Sequence, residues 1–376
     1  MKIICLKKYL KEAIILCERI AGKNLSLPVL SNILISGEGK IVKFIATNLE
    51  IGIEVLIPSN VEDRGEVAVP AGAVKNLLSS LPDDENITLE LQNNNLSVFT
   101  AHTSSLIKSQ LPDDFPALPK INNVNKKEIE VPVFDFINSL KSVWYSASFL
   151  NIKPEISSVY IFSDNENPLT FVATDSFRLA EKKLNYSFKD FGGILIPLKS
   201  VSEIIRVFDG KEGNLKIITD QNQIFIEKDN IKFISRLVDG VYVDYKQIIP
   251  NSFTTDVVVN KDIFINTLKT ASVFIGKLNE LKIKISSDIS GSEGGSGSMV
   301  IKTSNTEVGE HTANISVNVT GEEIETTFNY RYIFECLQFI LSPEIILRFS
   351  GENKPLVITG IDNSSFQYLV MPMNSI

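Results

Sequence analysis

The chain repeats itself at a domain-sized period, which constrains its fold more than any other feature. Phe136-Ile137-Asn138-Ser139-Leu140-Lys141-Ser142 returns as Phe264-Ile265-Asn266-Thr267-Leu268-Lys269-Thr270, 128 residues later. A fainter relative is Tyr9-Leu10-Lys11-Glu12-Ala13-Ile14. Pro70-Ala71-Gly72-Ala73-Val74-Lys75 matches Pro197-Leu198-Lys199-Ser200-Val201, and Ala46-Thr47-Asn48-Leu49-Glu50 matches Ala173-Thr174-Asp175-Ser176-Phe177, both at an offset of 127. Thr303-Ser304-Asn305 is a weaker third echo, and Ser109-Gln110-Leu111 returns as Ser235-Arg236-Leu237. A solenoid repeats every 20–50 residues or so, whereas this period is the length of a domain. The chain therefore reads as three copies of one domain, at 1–122, 123–251 and 252–376.

At 376 residues and 44% hydrophobic, the chain can build several ordinary cores. No apolar run reaches the length of a membrane span. Charges at Lys2, Lys7 and Lys8 stand where a signal peptide needs apolar residues, so the expected location is cytoplasmic, with no membrane partner. The three cysteines, Cys5, Cys17 and Cys336, show no CxxC spacing and read as buried thiols. With only His102 and His311 to join them, no metal site and no cofactor is expected.

The class is α+β, with strands dominant and two helices per copy. The pattern predicts first helices over Leu6–Lys23, Pro132–Leu150 and Asn260–Lys277, and second helices over Pro70–Ser80, Ile196–Lys211 and Asn329–Ile340. Asn260 reads as an N-cap, and Ile263, Thr267, Leu268 and Ala271, at i, i+4, i+5 and i+8, as a helical stripe. Pro70 and Pro197 suit a first helical turn. Ile87–Leu91 and Leu96–Phe99, joined by Asn93-Asn94-Asn95, read as a hairpin, which Leu215–Ile218 and Ile224–Ile226 repeat. Linkers are expected near Ile121–Lys127 and Pro250–Asp256, and Ser286–Ser298, rich in Gly and Ser, reads as a flexible surface loop.

Net charge is −8, yet the six predicted helices carry seven more basic than acidic residues. Basic helices on an acidic protein suggest one shared positive surface for a phosphate backbone, read without sequence preference. The plainer alternative is that Lys is a good helix former on solvated faces.

Together these features resemble the bacterial DNA polymerase III beta subunits, the sliding clamps. The resemblance is carried by Leu27-Pro28-Val29-Leu30-Ser31-Asn32-Ile33-Leu34, Ala46–Glu50, Leu111-Pro112-Asp113-Asp114-Phe115-Pro116, Ala173–Ala180, Leu237–Tyr245 and Val370-Met371-Pro372-Met373, in family order. It implies three tandem clamp domains, half of a six-domain ring with helices inside and sheets outside. Two chains joined head to tail as a homodimer would encircle duplex DNA. The partners it implies are the polymerase III catalytic subunit, a clamp loader and other clamp-binding proteins. It implies a processivity factor and no catalysis.

The resemblance implies DNA-facing residues at Lys23, Asn24, Lys75, Lys141, Lys199, Arg206, Lys269 and Arg331. Its slot for short client peptides falls on Ile156, Thr174, Ser176, Phe177, Arg178, Leu179, Val243, Ile248, Val370, Met371, Pro372 and Met373, with Arg178 offered to the peptide backbone. Leu106, Val273 and Phe274 fall at its ring-closing interface. The chain departs from the family's habit at Ser176-Phe177, Gln247 and Asn374-Ser375-Ile376, which leaves the slot's rim less cationic, and at Lys108, where an apolar residue is common.

Two rivals remain from the residues alone. Ala173-Thr174-Asp175-Ser176 with Arg178 has the polarity of an active site, but no triad partner or Gly-rich phosphate loop accompanies it, and its recurrence in the first copy points to a structural turn. A protein-binding scaffold without DNA would share the repeat and the slot but not the helix charge.

Overall fold

The computed structural model describes residues 1–22, 27–81, 86–121, 125–150, 152–287 and 295–373. By its contacts the chain divides into two compact units, Met1–Ile137 with Lys199–Asp239, and Asn138–Leu198 with Gly240–Ile376.

The first unit holds two antiparallel sheets. In an eight-stranded sheet the neighbours run Lys127–Pro132, Asn214–Thr219, Gln223–Lys228, Ile231–Arg236, Ile51–Pro58, Ile41–Thr47, Asn32–Glu38 and Gly65–Pro70. A five-stranded sheet runs Asn60–Asp63, Lys2–Leu6, Asn86–Gln92, Asn95–Phe99 and Ser104–Ile107. The second unit is built on one twelve-stranded sheet. Its order is Gly192–Pro197, Ser158–Ser163, Thr170–Thr174, Arg178–Lys183, Phe366–Val370, Leu356–Gly360, Glu344–Phe349, Thr255–Asn260, Gly309–Gly321, Gly295–Asn305, Glu280–Ser287 and Ile324–Asn329.

Two strand pairs have the same place in the repeat. In the first unit Ile51–Pro58 pairs with Ile231–Arg236, with Ile53 opposite Phe233. In the second unit Arg178–Lys183 pairs with Phe366–Val370, with Ala180 opposite Tyr368. Both join the first half of one copy to the second half of the next.

The helices are α1 (Lys7–Ile20), α2 (Ala71–Ser80), α3 (Val133–Val143), α4 (Leu198–Phe208), α5 (Lys261–Ala271) and α6 (Tyr330–Leu337). Each is found where the repeat places it, and all but α2 are shorter at the C-terminal end than their pattern suggests. In α1 the buried Leu10, Ala13, Ile14, Cys17 and Ile20 follow the helical period and face the strands Ile41–Thr47 and Ile51–Pro58. Asn260 caps α5 as its sequence predicts, its side chain accepting from the Ile263 amide at 3.1 Å.

Several expectations are corrected. The buried stripe of α5 is Phe264, Leu268 and Ala271, while Ile263 is half exposed. Phe136 and Leu140 in α3 are buried in the same way, so the aromatic of the repeat sets the helix rotation. Pro70 and Pro197 end strands instead of starting helices, since they pair with Asn32 and Ser158. Proline's missing amide is tolerated there because each strand lies at a sheet edge.

Both ends of the Gly/Ser-rich stretch are strand, Ser286 and Ser287 pairing with Ser298 and Gly297, and 288–294 lie outside the described residues. Gly297 suits that strand, since a Cβ there would stand 2.5 Å from Val319 Cγ2. At the start of the first expected linker, Leu118 and Ile121 pack on the buried Ile218, Phe225 and Ile234.

Candidate functional site

A turn built twice frames the site. Thr47 Oγ1 donates to the Ile51 carbonyl at 2.8 Å, and Asn48 Oδ1 accepts from the amides of Glu50 and Ile51. One period later Thr174 Oγ1 donates to the Arg178 carbonyl at 2.7 Å, and Asp175 Oδ1 accepts from Phe177 and Arg178. Both turns place a non-glycine residue in the left-handed region, Leu49 at φ 75° and Ser176 at φ 78°. The third copy keeps part of it, with Asn305 Oδ1 accepting from Glu307. The Ala-Thr-Asn/Asp motif is therefore a structural turn in which the side chains bond backbone groups.

The second turn differs from the first in its last residue. Where the first has Ile51, the second has Arg178, whose side chain is buried. Its Nε donates to Asp175 Oδ2 at 2.9 Å, its Nη2 to the Tyr145 carbonyl at 2.6 Å, and its Nη1 to Glu335 Oε2 on α6. The guanidinium also lies over the Tyr332 ring, 4.4 Å from its centre. The expectation that Arg178 is offered to a peptide is corrected to this extent: Nε and both terminal nitrogens each donate within the protein, and the side chain is buried.

Three further elements adjoin this turn. The strand Phe366–Val370 pairs with Arg178–Lys183, and the chain after it stays attached: the Met371 amide donates to the Phe177 carbonyl and the Met373 amide to the Thr327 carbonyl, each at 2.8 Å. The segment around Val243 is anchored by two tyrosines. Tyr242 stacks on Tyr160 at 4.9 Å, and the Tyr245 hydroxyl donates to Glu181 Oε2 at 2.6 Å. Burial first, and the Glu181 carboxylate next, hold the Tyr245 phenol above its usual range, so it stays a donor. With the tyrosines turned inward, Val241, Val243 and Ile248 face solvent. Finally Ile156, half-buried, closes a loop by accepting from the Ser148 amide.

The expected slot residues fall into two groups. Phe177, Val243 and Ile248 are exposed, and Ile156, Met371, Pro372 and Met373 are half-buried, so the expected slot residues that reach the surface include one aromatic and two flexible thioethers. Ser176 is exposed at the head of the turn. Thr174, Leu179 and Val370 are buried in strand pairs and support the surface from below, so they present no side chain to a ligand. Sequence reasoning missed Tyr145, Tyr332 and Glu335. Tyr332 and Glu335 are three apart on α6, which puts them on one helix face, but nothing local ties them to a turn more than 150 residues away.

Of the expected DNA-facing residues, Lys23 and Asn24 lie outside the described residues. Lys75 pairs with Glu18 at 2.8 Å, and Arg206 pairs with Glu203. Lys141, on α3, is half-buried. Among the described residues Lys199, Lys269 and Arg331 are exposed with no carboxylate partner. Lys211, Lys277 and Asp209 fall outside the observed helices and Lys23 outside the described residues, so the observed helices carry a basic excess of five. Leu106 and Val273 are each 62% exposed, and Phe274 stacks on His311 at 5.6 Å.

Comparison with known proteins covers almost the whole chain. Residues 1–119, 130–244 and 246–374 match the N-terminal, central and C-terminal domain models of the DNA polymerase III beta subunit. The chain is 24% identical over 397 aligned residues to a beta sliding clamp of Synechocystis, covering 99% of both. It is 26% identical to one of Staphylococcus epidermidis, covering 93% of both. The fold superposes over its full length on a DNA polymerase sliding clamp from Bacillus subtilis, with TM-score 0.92 and 24% identity. It does so equally on a Pseudomonas aeruginosa sliding clamp solved with griselimycin, with TM-score 0.90 and 22% identity. With three domain models matched in order along its length, the chain belongs to the DNA polymerase III beta subunit family, the beta sliding clamps.

Proposed function

We propose that this chain is a processivity clamp: it encircles duplex DNA as a head-to-tail dimer and tethers the replicative polymerase and other clients through the apolar surface around Phe177 and Met371. The observation that carries the ring is the repeated strand pairing. Each junction between consecutive copies is closed by one strand pair, Ile51–Pro58 with Ile231–Arg236 and Arg178–Lys183 with Phe366–Val370. By the same repeat, Gly309–Gly321 and Ser104–Ile107 are the strands left over. Among the described residues Ser104–Ile107 pairs on one side only, and most of Gly309–Gly321 pairs only with Gly295–Asn305. A second copy supplies the missing partner for each, and two such heterologous contacts close on themselves. The exposed Leu106 and Val273 supply apolar area for that contact.

The domains of this reading are 1–122, 123–251 and 252–376. The reading assigns no catalysis to the chain, a cytoplasmic site of action, and a clamp loader to open the ring. Affinity for DNA is then topological, because backbone contacts through Lys199, Lys269 and Arg331 are exchangeable and carry no base specificity.

The test combines solution mass with retention on DNA. Light scattering is expected to give a species of twice 41.8 kDa. After loading, the protein is expected to stay on circular duplex through a high-salt gel filtration and to leave once the circle is cut. Equal retention on circular and linear DNA would sink the encirclement, and a monomer that binds clients but no DNA would favour the scaffold.

A further inference from the structure

We propose that Glu335 is a positioning residue for the client slot: through Arg178 it fixes the turn that carries Phe177 to the helix α6. The inference rests on the client-slot reading above and extends it to a residue that does not itself line the slot.

Arg178 is joined to three separate pieces of chain. Asp175 belongs to its own turn, Tyr145 follows α3, and Glu335 and Tyr332 stand on α6. The contact from α6 is two-fold, since Tyr332 lies under the flat face of the guanidinium while Glu335 takes one edge. A planar group with fixed donor directions held in this way has little freedom to rotate. The main chain then carries the constraint to the surface. The carbonyl of Phe177, immediately before Arg178, accepts from Met371, and Met373 is held by Thr327 two residues before the Asn329 cap of α6. The two walls of the slot, Phe177 on one side and Met371–Met373 on the other, are therefore tied to the same helix by separate routes.

The repeat supplies an internal control. The turn at Thr47–Ile51 has the same hydrogen bonds and the same left-handed residue, but Ile51 has no charged partner to hold. Asn48 in that turn becomes Asp175 here, which gives the guanidinium a carboxylate on its Nε side. The arginine and its acids are thus an addition to a turn that folds without them. Removing Glu335 leaves a buried guanidinium edge without its acceptor, and the cost is relieved by moving Arg178 outward, taking Phe177 with it.

The probe is griselimycin, the ligand found on related clamps. Its affinity is measured by calorimetry for the full chain, for a chain ending at Val370, and for Glu335→Gln and Glu335→Asp. The expected result is binding by the full chain, loss in the truncated one, roughly tenfold weaker binding by E335Q, and partial recovery by E335D. The melting temperature of E335Q should stay within a few degrees of the parent, a combination that loss of general stability would not give. Parent-like affinity in E335Q, with the truncation still defective, overturns the positioning role alone. If the full chain does not bind the probe, or the truncation binds as well as the full chain, the slot reading falls and this inference with it.

Discussion

Ser176 and Leu49 show how one residue can reveal a backbone requirement. Both sit at positive φ, near +75°, in turns whose hydrogen bonds are otherwise complete. A side chain in that region costs of order 1 kcal/mol, partly offset by the entropy that glycine would lose on folding. Leu49→Gly is therefore expected to stabilise the protein slightly, by up to about 0.5 kcal/mol in urea denaturation, and the less bulky Ser176 to gain less on the same change. The buried thiols give a second residue-scale effect. Burial pushes Cys5 from an ordinary value of 9.0 up to about 12, and it raises Cys17 and Cys336 as well. A folded value above the unfolded one means that stability is intact below pH 9 and is lost as pH rises towards 12. Thermal melts should be flat on this account up to pH 9 and then fall, and Cys5→Ala should make the fall shallower.

At the scale of the element, local sequence set where each helix begins better than which face it buries. The Asn260 cap is readable because its mechanism is local, a side-chain oxygen meeting an amide three residues on. Asn260→Ala is expected to cost about 1 kcal/mol, measured as a shift in the urea midpoint with unchanged slope. The buried stripe was less legible, because Ile263 and Phe264 are both apolar neighbours and the helical period fits either. The strand entering at Thr255–Asn260 fixes the rotation and turns Phe264 inward. The two ends of the stretch 286–298 differ from their local signal for a related reason. Glycine and serine signal flexibility locally, but Ser298 and Gly297 gain partners from Ser286 and Ser287, and on the other side from Ser316 and Val317.

At the scale of the whole molecule, the charge that matters is what remains after pairing inside the chain. Lys75 and Arg206 each have a carboxylate beside them, whereas Lys199, Lys269 and Arg331 have none among the described residues. Changing those three to alanine should lower the slope of log affinity against log salt by up to about 0.9 for each phosphate that is no longer neutralised. The Lys75→Ala, Arg206→Ala pair should lower it less. Fluorescence titration on short duplex DNA at several salt concentrations separates the two sets, and equal reductions would show that internal pairing does not decide which cations reach DNA.

The sequence by itself determined the three-fold repeat, the α+β class, and the hairpins at Ile87–Phe99 and Leu215–Ile226. Each of these rests on spacing or on a contact between near neighbours, and such signals survive in the linear chain. Only the tertiary structure decided that Thr174, Leu179 and Val370 are supports, and that Arg178 is bound inward to Glu335 and Tyr145. Those outcomes depend on α6 and α3 arriving beside one turn from distant parts of the chain. A guanidinium is settled by whichever acceptors surround it once water is gone, and no short stretch of sequence contains them all.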